Sequence, residues 1–138
     1  MSLIITIPKS AFTQGVPITP GWHEFEITSA VARPSKDAES VNYVVTLKLK
    51  NDPNEREIDH YFNSKPTAIG MMKGFIAALT NKTVQEVADS ITGGEINFDL
   101  EMAIGKNILG KVFHDSYQGR IMSKIEADCW AAVGKIPF

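Results

Sequence analysis

The stretch GKNILGKVFHDSYQGRIMSKIEADCW, from Gly105 to Trp130, decides the fold of this chain. Apolar and polar residues alternate along it, which predicts two β-strands joined at residues 115–119. The core side of this hairpin is expected to consist of Ile108, Gly110, Val112, Ile121 and Ile125. The opposite side consists of Lys111, Phe113, Arg120, Met122 and Lys124. That second face fits either an ordinary solvated sheet or a surface for a flexible polyanion, because phosphates attract cations and unstacked bases stack on aromatic rings.

Three more strands are predicted upstream of the hairpin, within WHEFEITSAV, VNYVVTLKLK and REIDHYFN. The alternation predicts which side chains of these strands point toward the core: Phe25, Ile27, Val31, Val41, Tyr43, Val45, Leu47, Leu49, Ile58 and Phe62. Their outward residues include Lys48, Lys50, Asp59 and Tyr61. His60 shares the inward parity and is expected to be a half-buried imidazole.

Between the third strand and the hairpin, apolar residues recur at helical spacing. A first helix is expected to open with Ser64 as its cap and Pro66 in its first turn. Its apolar face would consist of Ile69, Met72, Phe75, Ile76 and Leu79. Thr83 and Glu86 have the spacing of a capping box, which predicts a second helix, and a short helical turn is expected over residues 99–104. The apolar face of that second helix would consist of Val84, Val87, Ala88 and Ile91.

This order of elements predicts a mainly β domain with helices. A five-stranded OB-fold-like barrel has such an order, with its helical block between strands three and four. The competing architecture is an α+β sandwich with helices on one sheet face. We favour the barrel because every strand shows one apolar parity. The chain would divide into an N-terminal arm over residues 1–19, the domain over 20–131 and a short C-terminal tip over 132–138. The arm could pack on its own barrel or on a neighbouring copy.

The composition limits the possible functions. The chain has 138 residues, a formal net charge of -2 and one cysteine, Cys129. A nucleic-acid site must therefore be a local patch rather than a basic body, and a disulfide or cysteine-based zinc site is excluded. Neither a signal peptide nor a membrane span is evident, so a cytoplasmic location, with no membrane partner, is expected.

An enzyme is not expected. The histidines His23, His60 and His114 lie on different strands without metal-ligand spacing, and neither a P-loop nor a GxGxxG sequence is present. Glu55, Glu57 and Asp59 form an acidic ladder that could hold a divalent ion, but a solvated edge is the preferred interpretation. We therefore expect no catalytic residue, metal or cofactor.

Binding of single-stranded nucleic acid has more support, from outward cations with aromatic residues between them. The predicted site consists of Lys48, Lys50, Tyr61, Lys106, Lys111, Phe113, Tyr117, Arg120 and Lys124. The outward residues of strand one, Glu24 and Glu26, are expected to form a separate acidic side. Trp22 and Trp130 lie at strand ends, where stacking and core packing are both open.

Several weak motifs together resemble a known family. They are PGW before an FEI strand, the RPSK loop, NYVVTLKL, REIDHYF, the FIAAL helix and the late YQGR loop. In this order they are similar to small phage and prophage proteins regarded as OB-fold single-stranded-DNA-binding proteins. The resemblance covers most of residues 20–130. It implies a role in replication, recombination or repair in a bacterial host cell, without sequence preference.

The end of the sequence has a second resemblance. Ile136-Pro137-Phe138 is similar to the C-terminal tip with which bacterial single-stranded-DNA-binding proteins dock partner enzymes, here replication or recombination proteins. The aspartate run of that family is absent, with Gly134-Lys135 in its place, so packing of Phe138 is an equal alternative. The alternative function is a protein-interaction or assembly module on the same barrel, forming a homo-oligomer through the arm.

Overall fold

The computed structural model describes residues 2–8, 12, 16–37 and 39–135. In this part of the chain, five antiparallel strands form one sheet: β1 (Gly21–Pro34), β2 (Val41–Leu49), β3 (Glu57–Asn63), β4 (Asn107–Tyr117) and β5 (Arg120–Ala131). Their order is β3-β2-β1-β4-β5, so β3 and β5 are the edges of the sheet. The prediction of a mainly β domain with a helical block between the third and fourth strands is confirmed.

Both edges of the sheet contribute to one core. Phe62 of β3 and Trp130 of β5 have ring centroids 6.2 Å apart, and Phe75 of the helical block lies 5.1 Å and 5.0 Å from them. Phe25 and Ile108 on the middle strands are fully buried in the same cluster. The sheet is therefore strongly curved. It is not closed, because no backbone ladder joins β3 to β5 within the described residues.

The hairpin projects beyond the rest of the sheet. β1 pairs with β4 only as far as Val112, whereas β4 and β5 stay paired out to Tyr117 and Arg120. This projection corrects one prediction: Ile121 was assigned to the core but is 56% exposed. Ile125, four residues on, is buried as predicted. Ile121 has the predicted parity, but it lies on the part of the β4–β5 hairpin that projects beyond the core.

The hairpin turn is tighter than residues 115–119 suggested. Only Gln118 and Gly119 lie outside the strands, and both have positive φ, 50° and 77°. Positive φ at both central residues defines a type I′ turn, whose twist matches that of the flanking strands. The strands β4 and β5 are therefore paired up to the two turn residues.

A bulge corrects the assignment of Val31. The register between β1 and β2 shifts between Ile27 and Ser29, which moves the later residues of β1 to the opposite face. Val31 is 41% exposed instead of sharing the core with Ile27.

The helical block begins later than predicted. A 3₁₀ turn (Ile69–Met72) leads into α1 (Lys73–Leu79). Ser64 does not cap a helix; its hydroxyl accepts a 2.9 Å hydrogen bond from the Val41 amide. The apolar face is partly confirmed, because Met72 and Phe75 are buried while Ile69 is 39% exposed.

The second helix, α2 (Val84–Ser90), has the predicted capping box. The Thr83 hydroxyl accepts from the Glu86 amide, and the Glu86 carboxylate accepts from the Thr83 amide, both at 3.0 Å. The predicted turn over 99–104 is a 3₁₀ turn (Leu100–Ala103). Among the described residues, none of α2 belongs to the buried core cluster; Val84 is 42% exposed and lines a groove.

Part of the predicted arm packs on its own sheet. Ile18 is 2% exposed; its amide donates to Ser123 Oγ at 2.7 Å, and its carbonyl accepts from His114 Nε2 at 2.6 Å. The Pro17 carbonyl accepts from Arg56 at 3.0 Å. These bonds attach the chain across the open end between β3 and β5, so the core includes a residue of the arm. Among the described residues, no helix is long and apolar enough to cross a membrane.

Candidate nucleic-acid interface

The outer side of the β4–β5 hairpin presents aromatic residues in register with cations. Phe113 lies opposite Lys124, and Tyr117 lies opposite Arg120. Across the other edge of β4, Trp22 of β1 lies opposite Lys111. Cross-strand partners share one face of an antiparallel sheet, and the alternating residue Val112 is buried, so these residues lie on the face away from the core. We call this set the hairpin face: Trp22, Lys111, Phe113, Tyr117, Arg120 and Lys124.

The spacing on the hairpin face suits a chain of stacked bases. At about 3.3 Å per residue, Phe113 and Tyr117 lie about 13 Å apart along β4. Tyr117 is 64% exposed at the tip, whereas Phe113 is half-buried. Phe113 does not belong to the core cluster, so its ring remains available at the outer surface.

Two lysines of the hairpin face form ion pairs with acids on the same face. Lys111 Nζ lies 3.2 Å from Glu126 Oε2, and Lys124 Nζ lies 2.8 Å from Asp115 Oδ2. The hydrogen bond from Lys124 holds the pKa of the Asp115 carboxyl below its usual range. Arg120 has no ion pair within the described residues. The face thus carries three cations against two carboxylates.

Tyr61 joins the hairpin across the open edge of the sheet. A groove of about 1160 Å³ runs between β3 and β5, and residues 16–18 form part of its wall. Tyr61, which is 57% exposed, lines this groove together with Arg120 and Lys124. We call it the seam groove. It brings one predicted site residue of β3 to the same surface as two of β5.

The remaining predicted cations do not join this surface. β1 lies between β2 and β4, and its outward Glu26 lies opposite Lys48 on one side and Asn107 on the other. Lys48 Nζ is also 3.6 Å from Glu55 Oε1. Lys50 donates its amide to the Glu24 carbonyl, and Lys106 precedes β4. The expectation of separate acidic and basic sides is therefore wrong: acidic residues of β1 divide the lysines of β2 from those of the hairpin.

The sequence left Trp22 and Trp130 undecided, and the structure separates them. Trp130 is 8% exposed in the core, and its indole Nε1 has no hydrogen-bond partner among the described residues. Trp22 is half-buried on the outer face. Its parity with Glu24 and Glu26 signalled an outward position, but only the pairing of β1 with β4 shows that it lies beside Lys111.

His60 is a half-buried residue that lines the seam groove and packs against the core. Its ring packs edge-on against Phe62 and Trp130, with centroids 4.7 Å and 5.0 Å away. Burial lowers its pKa to about 4, because the charged imidazolium would lose its hydration. The predicted half-buried position is confirmed, and the ring is neutral at pH 7.

Two residues of the predicted acidic ladder contact neighbouring side chains. Glu55 pairs with Lys48, and Asp59 Oδ1 accepts from Thr46 at 2.8 Å. Across residues 2–8, 12, 16–37 and 39–135, no group of three His, Cys, Asp or Glu residues could hold a metal ion.

The predicted partner-binding tip, Ile136, Pro137 and Phe138, lies outside the described residues. In comparisons with known proteins, no family model and no curated protein matches this sequence.

Proposed function

We propose that this protein binds single-stranded DNA without sequence preference, on the hairpin face and the adjoining seam groove. The observation that carries the proposal is the three register pairs in which Trp22, Phe113 and Tyr117 each oppose a cation. Aromatic rings accept any base, and cations accept any phosphate, so this arrangement favours a sequence-tolerant site. The net charge of -2 disfavours long-range attraction of duplex DNA.

The energies favour binding despite the ion pairs. A base stacked on an exposed aromatic contributes about 1–3 kcal/mol. Separating an exposed lysine–carboxylate pair costs about 0–1 kcal/mol. Exchanging both carboxylates for phosphates therefore costs at most about 2 kcal/mol, which the stacking of two bases offsets.

We also propose that the curved sheet is a partly open barrel of the OB type. The order β3-β2-β1-β4-β5 places β3 beside β5 if the sheet closes, and both strands already share one core. Proteins of this architecture use strands two and three and the flanking loops for oligonucleotides. The seam groove lies against that region, with Tyr61 on its β3 side.

The resemblance described above supports the biological setting. On that basis the protein would be of phage or prophage origin, act in replication, recombination or repair in the bacterial cytoplasm, and use no cofactor. Replication or recombination proteins would be its further partners.

A fluorescence-anisotropy titration with labelled oligo-dT tests the function. We expect Arg120→Glu with Lys124→Glu to weaken binding at least about tenfold, because two phosphate contacts become repulsive. Tyr117→Ala should weaken it about 5- to 150-fold through loss of one stacked base. The matched control is Lys82→Glu with Lys135→Glu, which makes the same charge change beside Glu86 in the helical block. Equal affinity for duplex and single strand, or equal losses in the control, would refute the proposal.

A protein-interaction or assembly module is the second candidate. It is favoured by the exposure of Leu3, Ile4 and Ile5, which are 93%, 84% and 79% exposed. Self-association without any affinity for oligo-dT would support this function over the first.

A further inference from the structure

The described residues include two exposed apolar features that are not part of the hairpin face. One is the segment from Ser2 to Pro8, in which Leu3, Ile4, Ile5 and Ile7 are 93%, 84%, 79% and 52% exposed. The other is a groove of about 900 Å³ in the helical block, which we call the helical groove. Exposed apolar residues scattered singly are ordinary, but contiguous ones indicate an interaction site.

Apolar side chains line most of the helical groove. They come from the first 3₁₀ turn and α1, from α2 and the residue after it, and from residues 96–100: Ile69, Ile76, Val84, Val87, Ile91, Ile96, Phe98 and Leu100. Ile69, Val84 and Ile96 are 39%, 42% and 46% exposed. The volume is at the upper end of that of pockets that bury small ligands. The groove can therefore accommodate several aliphatic side chains.

The groove wall and the segment also have solvent-exposed backbone groups that are available for pairing. Residues 92–98 have no regular secondary structure and make no hydrogen bond with other described residues. Residues 2–8 likewise make none within the described chain. Unpaired backbone amides and carbonyls on an apolar surface are the features with which an extended peptide is bound by strand addition.

We propose that the Ser2–Pro8 segment of one copy of this chain docks in the helical groove of a second copy. Its backbone pairs with Ile96–Phe98, and alternate side chains, Leu3, Ile5 and Ile7, enter the groove. The segment carries no charged side chain, which suits a groove whose only charged lining residues are Lys73 and Asp99. Exchange of segments between two copies is reciprocal and gives a symmetric dimer.

The exposure of the segment in the single chain favours the second copy: Leu3, Ile4 and Ile5 are 93%, 84% and 79% exposed. Pro17 is bonded to Arg56 at the start of β3, and Ile18 to Ser123 near the start of β5. The helical groove lies toward the other end of these strands: Asp128 of β5 accepts a bond from Gly74 of α1. The nine residues from Pro17 back to Pro8 span at most about 30 Å. This length is enough to reach the groove of the same chain, yet the segment does not lie there, since none of its residues lines the groove.

Disulfide trapping between two chains tests the proposal directly. In a Cys129→Ser background, we expect a chain with Thr6→Cys and a chain with Asn97→Cys to form a mixed disulfide dimer on mild oxidation. Glu39→Cys replaces Asn97→Cys as the control, since it is exposed outside the groove. A disulfide that forms only within one chain carrying both cysteines, and not between the mixed chains, would overturn the proposal.

Light scattering after size exclusion gives an independent measurement on the full chain. The unaltered protein should be a dimer at micromolar concentration. Leu3→Asp, or Val84→Asp in the groove, should raise the dissociation constant of the dimer at least about tenfold, because a charge would be buried in an apolar site. Met102→Asp, at a 64% exposed methionine outside the groove, should leave the dimer intact. A monomer at all concentrations, or a dimer that persists in both charged variants, would overturn the proposal.

Discussion

Removing the two carboxylates of the hairpin should tighten binding to single-stranded DNA. Asp115→Asn with Glu126→Gln leaves Lys124 and Lys111 without their acidic partners, which lie 2.8 Å and 3.2 Å away. Each exposed pair costs about 0–1 kcal/mol to separate. Avoiding both costs gives up to about 2 kcal/mol, so affinity should rise by up to about thirtyfold.

The measurement is an anisotropy titration with oligo-dT at several salt concentrations. The gain should be largest at low salt and shrink as salt rises, because exposed charges are screened. The control, Glu95→Gln with Glu101→Gln, removes the same charge from exposed positions in the helical block. If the hairpin variant binds no more tightly, or if the control gains equally, then Lys111 and Lys124 do not contact phosphates and the hairpin face is not the site.

Three further predictions concern stability. Gly74→Ala should lose about 1 kcal/mol in denaturant unfolding, because its Cβ would displace the Asp128 carboxylate and break the hydrogen bond that this carboxylate accepts from the Gly74 amide, whereas Gly93→Ala, with open space around it, should be nearly neutral. Gly119→Ala should cost about 1 kcal/mol, because φ is +77° in the turn; an unchanged midpoint would exclude the type I′ turn. Burial of neutral His60 stabilises the fold above pH 6.5, and this contribution should fall by up to about 3 kcal/mol between pH 6.5 and 4, as the unfolded chain gains a proton. His60→Phe should flatten that part of the pH profile, and a profile identical to that of the unaltered chain would show that His60 is not the group responsible.

Alternation in the sequence was sufficient to predict the five strands, because residues with a period of two have only one way to share a buried face. It could not show where a strand leaves the core. Ile121 and Ile125 have the same parity, yet only Ile125 lies where β1 still supports β4. The prediction for Val31 was wrong for a related reason. A bulge adds one residue to a strand, and that extra residue moves every later side chain to the opposite face of the sheet.

The candidate site was harder to predict than the fold because it depends on pairing between distant strands. The sequence identified Lys111, Phe113 and Arg120 from a single hairpin, whose two strands are neighbours by necessity. It could not place Trp22 beside Lys111, since these residues are brought together by the pairing of β1 with β4. For the same reason, the sequence could not predict that Glu24 and Glu26 lie between two groups of lysines.

The two proposed surfaces lie at opposite ends of the sheet, and this separation makes the proposals independent. The hairpin face is built where β4 ends and β5 begins, whereas α1 is bonded to β5 near its other end, at Asp128. Substitutions at Arg120 should therefore change DNA affinity without changing the oligomeric state. Leu3→Asp should abolish the dimer while each monomer keeps its affinity for a short oligo-dT. On a longer strand, a dimer offers two hairpin faces to one ligand, so the unaltered chain should gain affinity with oligonucleotide length more steeply than Leu3→Asp does. Equal dependence on length in both chains would mean that the two faces of a dimer cannot engage one strand.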